Sequence, residues 1–433
     1  MPLDDSLQSK IFSLAGLESK ELKKLLDHCS VDLPSDVVKR LRPYILLESK
    51  QMEIDQCNLS ASFQELQFVD NKVSASQSWI LFAKFLGEPV AIKIATEPYR
   101  MNILSHFLSI ERRIYRELIN PIVICGFSPH VLIYYGSISC DRFFYSIENN
   151  AQVLQFKQQL SLKAGSFKIN EIRASVIERA AGGMTLSEFL QRADNSVIYN
   201  KELFAILFQI FYTLKVFSQI GLSHNDLHSG NIFVMPATTR QKYYQITAQD
   251  YRQVSSTFDV FIFDFDRGSK IATVFEPTEI ENYGLSNGGV CAQFGQCNGV
   301  NERAEIFPLL ASVHAYTKNV SSVIDKLLTD IIPQDIIERP YHNEALIDNT
   351  LVEYTLAFPG RLCTCNNMHC TSCSVLNDPR IKVLDEILAL DQFNSDEFLA
   401  SKETIPVNAF IWRLPFVSAE TKWKELHASA NAN

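Results

Sequence analysis

The segment 203–220 is apolar around nearly the whole circumference of a helix, and it constrains the fold more than any other part of the chain. Such a helix lies either in a membrane or at the centre of a large core. Gln209, Lys215 and Gln219 interrupt the run, which is also short for a membrane span. Hydrophobic residues make up 46% of the chain, so a large core is feasible. We therefore expect a buried helix and no membrane span.

A short polar segment with candidate catalytic residues follows this helix directly. It reads LSHNDLHSGNIF (222–233) and places Asp226 five residues before Asn231. This spacing is typical of a phosphoryl-transfer loop, in which the acid accepts the proton of an attacking hydroxyl and the amide holds a magnesium ion. Because the spacing also occurs by chance, its interpretation depends on the neighbouring motifs.

Two neighbouring motifs occur in the required order. VAIK (90–93) lies upstream, and the apolar run VFIFDFD (260–266) brings Asp264 to the end of a strand downstream. On these motifs, roughly residues 65–320 resemble the protein kinase superfamily. The sequences of the two later motifs, at 222–233 and 260–266, are similar to those of serine/threonine kinases of large DNA viruses, of the iridovirus and mimivirus kind. The resemblance implies an α+β, two-lobed fold with a small β-rich N-lobe and a mostly helical C-lobe.

The resemblance also implies roles for single residues. Asp226 would be the catalytic base, and Asn231 and Asp264 would hold magnesium ions on ATP. Phe233 would form part of the floor beneath the adenine. Residues 176–190 read as a strand, a glycine-rich turn and an amphipathic helix, like the hinge between kinase lobes. Backbone groups of Glu178 and Ala180 would then bind adenine.

The strand that contains Lys93 predicts an ion pair. Val90, Ile92 and Ile94 face one side of it, whereas Lys93 and its small neighbours Ala91 and Ala95 face the other, which leaves room for a flat group. The resemblance implies that this group is adenine. The next element, 103–118, has an apolar helical stripe with Glu111 in its middle. A carboxylate on a buried stripe requires a cation, and Lys93 is the candidate. Glu117 is the alternative, but it lies about 120° away around the helix.

Several departures from the kinase pattern leave the substrate open. When the phosphate-covering loop is aligned on Ile80, the three glycine positions hold Val73, Ala75 and Ser78. His228 stands where most protein kinases have lysine, Asp266 replaces the glycine of D-F-G, and no A-P-E motif is visible. We expect a protein serine/threonine kinase that uses ATP and Mg²⁺. The alternatives are a small-molecule kinase and a pseudokinase that binds ATP or a partner without catalysis.

The motifs divide the chain into a helical N-terminal extension (1–62), an N-lobe (63–178) and a C-lobe with a C-terminal extension (179–433). A net charge of −9 argues against nonspecific binding of nucleic acid. No signal peptide is visible, so the ten cysteines indicate reduced thiols or a metal site in an intracellular protein, located in host cytoplasm or virion if viral. The sequence does not indicate an oligomeric state.

A cluster of soft-metal ligands occupies residues 363–373 of the C-terminal part. Its members are Cys363, Cys365, His369, Cys370 and Cys373. The C-x-x-C half is common in zinc sites, whereas C-x-C is less usual and the intervening loop is short for a tetrahedral site. The sequence is compatible with two interpretations of this cluster, a structural zinc site and a surface loop with free thiols.

Overall fold

The computed structural model describes residues 33–48, 53–55, 59–68, 78–98, 107–140, 167–192, 194, 196–224, 226–247, 250–265, 268–270, 302–337, 378–394 and 409–415. The fold is α+β, as the sequence predicts, and it forms two compact units. The first unit comprises Met1–Cys125 and Leu132–Ala181, and the second comprises Gly126–Val131 and Gly182–Asn433. One division therefore lies close to the boundary predicted at 178/179, and the N-terminal extension belongs to the first unit.

The first unit contains four α-helices and five strands among the described residues. The helices are Ser35–Glu48 (α1), Leu59–Ser62 (α2), Phe107–Ile114 (α3) and Asn120–Ile124 (α4). The strands are Gln64–Phe68 (β1), Ser78–Phe85 (β2), Glu88–Pro98 (β3), Tyr134–Cys140 (β4) and Phe167–Glu178 (β5). They form one antiparallel sheet in the order β1-β2-β3-β5-β4.

Strand β3 is in the middle of this sheet and has the two faces that its sequence predicts. Val90, Ile92 and Ile94 are fully buried, whereas Ala91 and Lys93 on the opposite face are only partly buried. Successive side chains of a strand point to opposite faces, so the apolar alternation places Lys93 away from the core. The local sequence is sufficient to orient this lysine.

Helix α1 is an integral part of the first unit. It contacts β4, the last strand of the sheet, and buries Leu41 and Tyr44 completely. Burial of the phenol raises the pKa of Tyr44, so its hydroxyl stays neutral. The described part of the predicted N-terminal extension is therefore packed onto the sheet.

Helices α3 and α4 are joined by a π-helical turn, Tyr115–Ile119. Pro121 lies at the start of α4 and has no N–H to donate to a carbonyl one turn earlier, which accounts for the widened turn. Cys125, at the end of α4, is disulfide-bonded, whereas the sequence predicts reduced thiols or a metal site for the cysteines.

The second unit is built around a long apolar helix. Its described helices are Leu186–Leu190 (α5), Val197–Gln219 (α6), Glu302–Thr317 (α7), Ser322–Ile331 (α8), Gln334–Ile337 (α9), Leu384–Leu388 (α10) and Asp391–Asn394 (α11). The Ser196 hydroxyl caps α6 by accepting from the Tyr199 N–H at 3.1 Å, and Gly221 follows the helix with φ +76°.

Helix α6 contains the segment predicted to be buried. Among the described residues it is the one helix long and apolar enough to cross a membrane, and 78% of its most apolar window is buried within the protein. Burial of this kind is typical of a core helix, so the prediction of a buried helix is confirmed.

The strands of the second unit form three small sheets. They are Met184–Thr185 (β6), Leu222–Ser223 (β7), Ile232–Pro236 (β8), Gln241–Gln245 (β9), Tyr251–Ser255 (β10), Phe258–Ile262 (β11), Ser269–Lys270 (β12) and Ile411–Arg413 (β13). Strand β8 lies between β11 and β6, β7 pairs with β12, and β9 lies between β10 and β13. Strands β9 and β10 are antiparallel neighbours and form a β-hairpin between β8 and β11.

Candidate active site

Lys93 and Glu111 form an ion pair within the first unit. The Lys93 Nζ donates to the Glu111 Oε1 at 3.1 Å, and the Glu111 side chain is only 1% exposed. Glu117 instead pairs with Arg113 at 3.6 Å on the more exposed side of the helix. The predicted choice of Glu111 over Glu117 is thus confirmed. A carboxylate at this depth needs a cationic partner, and the lysine supplies it.

The backbone of Lys93 is paired with a neighbouring strand on each side. Lys93 lies opposite Ile80 of β2 and Ser175 of β5, so its backbone has strand partners on either edge. Ala91 is paired with Ile177, two residues along the same face. Ser78 begins β2, whereas Val73 and Ala75 of the predicted phosphate loop lie outside the described residues.

The predicted hinge begins where β5 ends. The Glu178 N–H donates to the Ile133 carbonyl at 2.8 Å, and the Arg179 N–H donates to the Pro89 carbonyl at 3.2 Å. Ala180 lies inside a tight turn closed by the Ala181 N–H on the Arg179 carbonyl at 2.8 Å. Gly182 follows with φ +79°, and the Thr185–Glu188 capping box starts α5. The strand, turn and helix predicted here are therefore present.

In the second unit, the segment 226–231 forms a compact loop with a 3₁₀ turn, Ser229–Asn231. The Asn231 Nδ2 donates to the Asp226 carbonyl at 2.9 Å, which connects the two predicted catalytic residues directly. Because a carbonyl only accepts, the amide nitrogen faces Asp226, and the amide oxygen remains available for a cation. Asp226 and Asn231 are both largely buried.

His228 is held inside the same loop. The Gly230 N–H donates to the His228 Nδ1 at 3.0 Å, so this nitrogen carries no proton, and a proton on the ring lies on Nε2. A Cβ atom at position 230 would come within 2.7 Å of the His228 ring. Glycine is therefore needed at position 230 for the ring to keep this place.

Backbone contacts fasten this loop to the segment that follows β11. The His224 Nε2 donates to the Phe263 carbonyl at 2.8 Å, and the Phe263 N–H donates to the Asn231 carbonyl at 3.2 Å. The antiparallel pairing of β8 with β11 begins beside these contacts, at Ile232 and Ile262. Asn231 and Asp264 consequently lie at the same end of one strand pair.

Asp264 has a strained backbone. Its φ of +69° is unusual for a residue other than glycine and costs about 1–3 kcal/mol. The next side chain, Phe265, is fully buried and contacts the His224 ring at 4.7 Å between centroids. Packing of Phe265 and the bonds of Phe263 hold Asp264 in this conformation. Strain of this kind is frequent at functional sites.

Burial sets the protonation state of His224. Desolvation lowers the pKa of its imidazole, and this effect outweighs the opposing effects of the Phe263 carbonyl and of Asp264. The bond to the Phe263 carbonyl requires a proton on Nε2, so the neutral ring has its proton on that nitrogen. His224 thus anchors the loop as a neutral donor.

Phe233, the residue predicted to lie beneath the adenine, has an aromatic partner. Phe233 of β8 stacks on Phe263, with ring centroids 4.2 Å apart and an interplanar angle of 13°. The two residues extend from neighbouring strand ends, so the stacking also supports the backbone beside Asp264.

The donor set of this loop pair fits a magnesium ion. Asn231 and Asp264 offer hard oxygen atoms, and Mg²⁺ is commonly bound by one or two protein oxygens with the remaining positions filled by phosphate and water. When bound, the ion would neutralise charge on the phosphates of a nucleotide. Across the described ranges, no group of three or more His, Cys, Asp or Glu side chains is arranged to hold a metal. The cluster 363–373 lies outside these ranges.

The sequence interpretation missed two sets of residues that support these segments. Ser229 in the 3₁₀ turn exchanges hydroxyl hydrogen bonds with Ser187 of α5 at 2.7 Å and with Ser312 of α7 at 2.6 Å. Arg40 of α1 binds the Glu178 carboxylate. Nothing in the local sequence signals either contact, because the partners are far apart along the chain.

A scan against protein-family models finds no match for this chain, and a search of curated proteins finds no relative. Any functional assignment therefore rests on the residues and their geometry.

Proposed function

We propose that this protein is an ATP-dependent phosphotransferase with a two-lobed, kinase-like fold, and that it transfers phosphate to serine or threonine hydroxyls of a protein substrate. Asp226 would accept the proton of the attacking hydroxyl, and Asn231 and Asp264 would hold Mg²⁺. Lys93 would contact the nucleotide phosphates while Glu111 fixes its position.

The observation that carries this proposal is the Lys93–Glu111 ion pair. The VAIK segment alone predicts a strand with a lysine, and it does not specify the partner of that lysine. The partner is a carboxylate with 1% exposure from another element, at 3.1 Å. An arrangement of this kind restrains the lysine to one position, which favours a role in binding an anion.

The second unit supports the same proposal independently. Asp226 and Asn231 are linked through a hydrogen bond, and Asp264 follows the strand that pairs beside Asn231. A base, an amide and a strained acid on two adjoining segments are the parts that phosphoryl transfer from a magnesium–nucleotide complex requires.

A nucleotide-binding pseudokinase is the alternative that a specific observation favours. His228 accepts a hydrogen bond on Nδ1, so a protonated ring would lose this bond and the neutral ring adds no positive charge. Val73, Ala75 and Ser78 also replace glycines in the predicted phosphate loop. His228 is compatible with a small-molecule kinase as well as with a protein kinase. These two alternatives differ only in the molecule that accepts the phosphate.

The test is transfer of labelled phosphate from ATP–Mg²⁺ to a generic protein acceptor, followed by identification of the modified residue type. We expect Asp226→Asn to lower the transfer rate by about 10²–10⁴-fold, as loss of a general base does, with ATP binding retained. Asp385→Asn is the matched control, because Asp385 lies in the same unit with a side chain 74% exposed.

The outcomes separate the alternatives. Full activity of Asp226→Asn would exclude Asp226 as the base. Binding of ATP–Mg²⁺ without transfer to any protein or small-molecule acceptor would favour the pseudokinase. Transfer to small hydroxyl compounds but to no protein would favour the small-molecule kinase.

A further inference from the structure

Helix α1 reaches the predicted hinge through one arginine. The Arg40 Nε donates to the Glu178 Oε1 at 2.7 Å, and its Nη2 donates to the Glu178 Oε2 at 2.9 Å. Both side chains are largely buried, with 17% and 14% exposure. A two-point contact between a planar guanidinium and a carboxylate restrains orientation as well as distance.

Glu178 is restrained at its backbone as well as its side chain. Its N–H donates to the Ile133 carbonyl at 2.8 Å, and the Ile133 N–H donates back to the Glu178 Oε2 at 3.1 Å. The Tyr135 hydroxyl donates to the Arg40 carbonyl at 3.1 Å, which fixes the helix at the arginine itself. Arg40, Ile133 and Tyr135 together hold Glu178 in one position.

The residue after Glu178 is held from the opposite side. The Arg179 N–H donates to the Pro89 carbonyl, and the Arg179 guanidinium lies over the Phe82 ring, 3.7 Å from its centroid. The tight turn at Ala180 follows, and among the residues that the structure describes no backbone carbonyl accepts the Ala180 N–H. This segment therefore has a defined backbone conformation before any ligand binds.

We propose that Arg40 is a positioning residue for the nucleotide, and that helix α1 thereby forms part of the nucleotide site. The inference rests on the proposed function, in which the backbone of Glu178 and Ala180 contacts adenine. Arg40 does not touch the nucleotide. It acts through the Glu178 carboxylate, which sets the position of the Glu178 carbonyl.

The chemistry of the base provides a readout that a purely structural role would not change. Adenine carries an amino group at C6, which donates to a backbone carbonyl, whereas guanine carries an oxygen there, which only accepts. A carbonyl held in place therefore discriminates ATP from GTP. Loss of its restraint weakens ATP binding and also reduces this discrimination.

The experiment compares Arg40→Met with Lys39→Met in the full-length protein. Lys39 is the preceding residue of the same helix, and its ion pair with Glu88 is long, at 3.6 Å, with the lysine 69% exposed. We expect Arg40→Met to raise the KM for ATP and the Kd for ATP–Mg²⁺ by about five- to tenfold, the size of one lost hydrogen bond in binding. The kcat should change much less, and the preference for ATP over GTP should fall.

Two further variants check the mechanism. Arg40→Lys keeps the charge but not the two-point contact, so we expect only partial recovery of the KM. In Arg40→Met/Glu178→Gln, the second change should add little to the first, because both remove the same contact.

The outcomes distinguish this inference from the proposed function. Wild-type protein that binds no ATP–Mg²⁺ would overturn both. Wild-type binding with the same KM and nucleotide preference in Arg40→Met and Lys39→Met would overturn the role of Arg40 alone. A lower melting temperature of Arg40→Met with unchanged nucleotide preference would make the contact structural only.

Discussion

His224 and Glu111 are both almost inaccessible to solvent, but their partners place different demands on protonation. Glu111 lies 3.1 Å from the Lys93 ammonium, which compensates a negative charge. His224 donates to a carbonyl, which requires a proton on Nε2, and burial lowers the pKa of the imidazole, which favours the uncharged ring. The first contact is an ion pair, whereas the second is a hydrogen bond of a neutral ring.

The His224 contact predicts a pH dependence of stability. Burial holds the folded-state pKa of His224 below the ordinary value, about 6.5, that the unfolded chain keeps. Above that value both states are neutral. As the pH falls below it, the unfolded state takes up the proton first, so the free energy of unfolding decreases until the folded pKa has been passed.

We expect His224→Gln to show a smaller loss of stability between about pH 7.5 and about pH 5, because glutamine can donate to Phe263 and does not titrate. Urea unfolding at the two pH values measures the difference. If the free energy of unfolding had the same pH dependence in the variant and the wild type, His224 would not be the group whose protonation lowers stability.

At the scale of elements, β13 completes a sheet in the second unit. It pairs in parallel with β9, and the Arg413 N–H donates to the Gly126 carbonyl at 3.1 Å. Trp412 on this strand is 3% exposed and contacts Phe410 edge to face. A strand near the end of the described chain is therefore part of the core of the second unit.

We expect Trp412→Ala to reduce the free energy of unfolding by about 3–5 kcal/mol, because it removes a buried aromatic side chain. The matched control is Arg413→Ala on the same strand, whose exposed side chain should change stability by about 0.5 kcal/mol or less. Denaturant unfolding of both variants measures this, and equal effects would show that β13 contributes little to the core.

At the scale of the whole molecule, the first unit includes its N-terminal helices. Leu41, Tyr44 and Leu59 are fully buried, and α1 contacts β4 at the edge of the five-stranded sheet. Removal of these helices would expose the apolar surface that they cover. The sheet and α1 are consequently expected to fold together.

We expect deletion of residues 1–62 to reduce hydrogen-exchange protection in β3 and β5, since their unit loses part of its core. Helix α6 belongs to the second unit and provides the internal comparison, because its amides should keep their protection. Mass spectrometry after exchange reads both regions in one sample. Equal protection of β3 in the truncated and full-length chains would show that α1 is dispensable.

Local sequence patterns were sufficient to predict the elements in which apolar residues recur in a regular arrangement. Alternation of apolar residues predicted the two faces of β3, and the continuous apolar run predicted the buried helix α6. The helix nevertheless begins at Val197, before the apolar run, because Ser196 caps it. The hairpin β9–β10 was missed, since its polar sequence has weak alternation and its sheet is completed by the distant β13.

The sequence by itself determined the candidate residues and the choice of Glu111 for Lys93, because helical periodicity and the cost of burying a carboxylate are local arguments. The tertiary structure alone decided the contact between Arg40 and Glu178, the Ser187–Ser229–Ser312 hydroxyl chain and the neutral tautomer of His228. The first two bring together residues far apart in sequence, and the third depends on the direction of one N–H. Spacing along a chain does not encode such contacts, since they arise only when packed elements bring the groups into hydrogen-bonding distance.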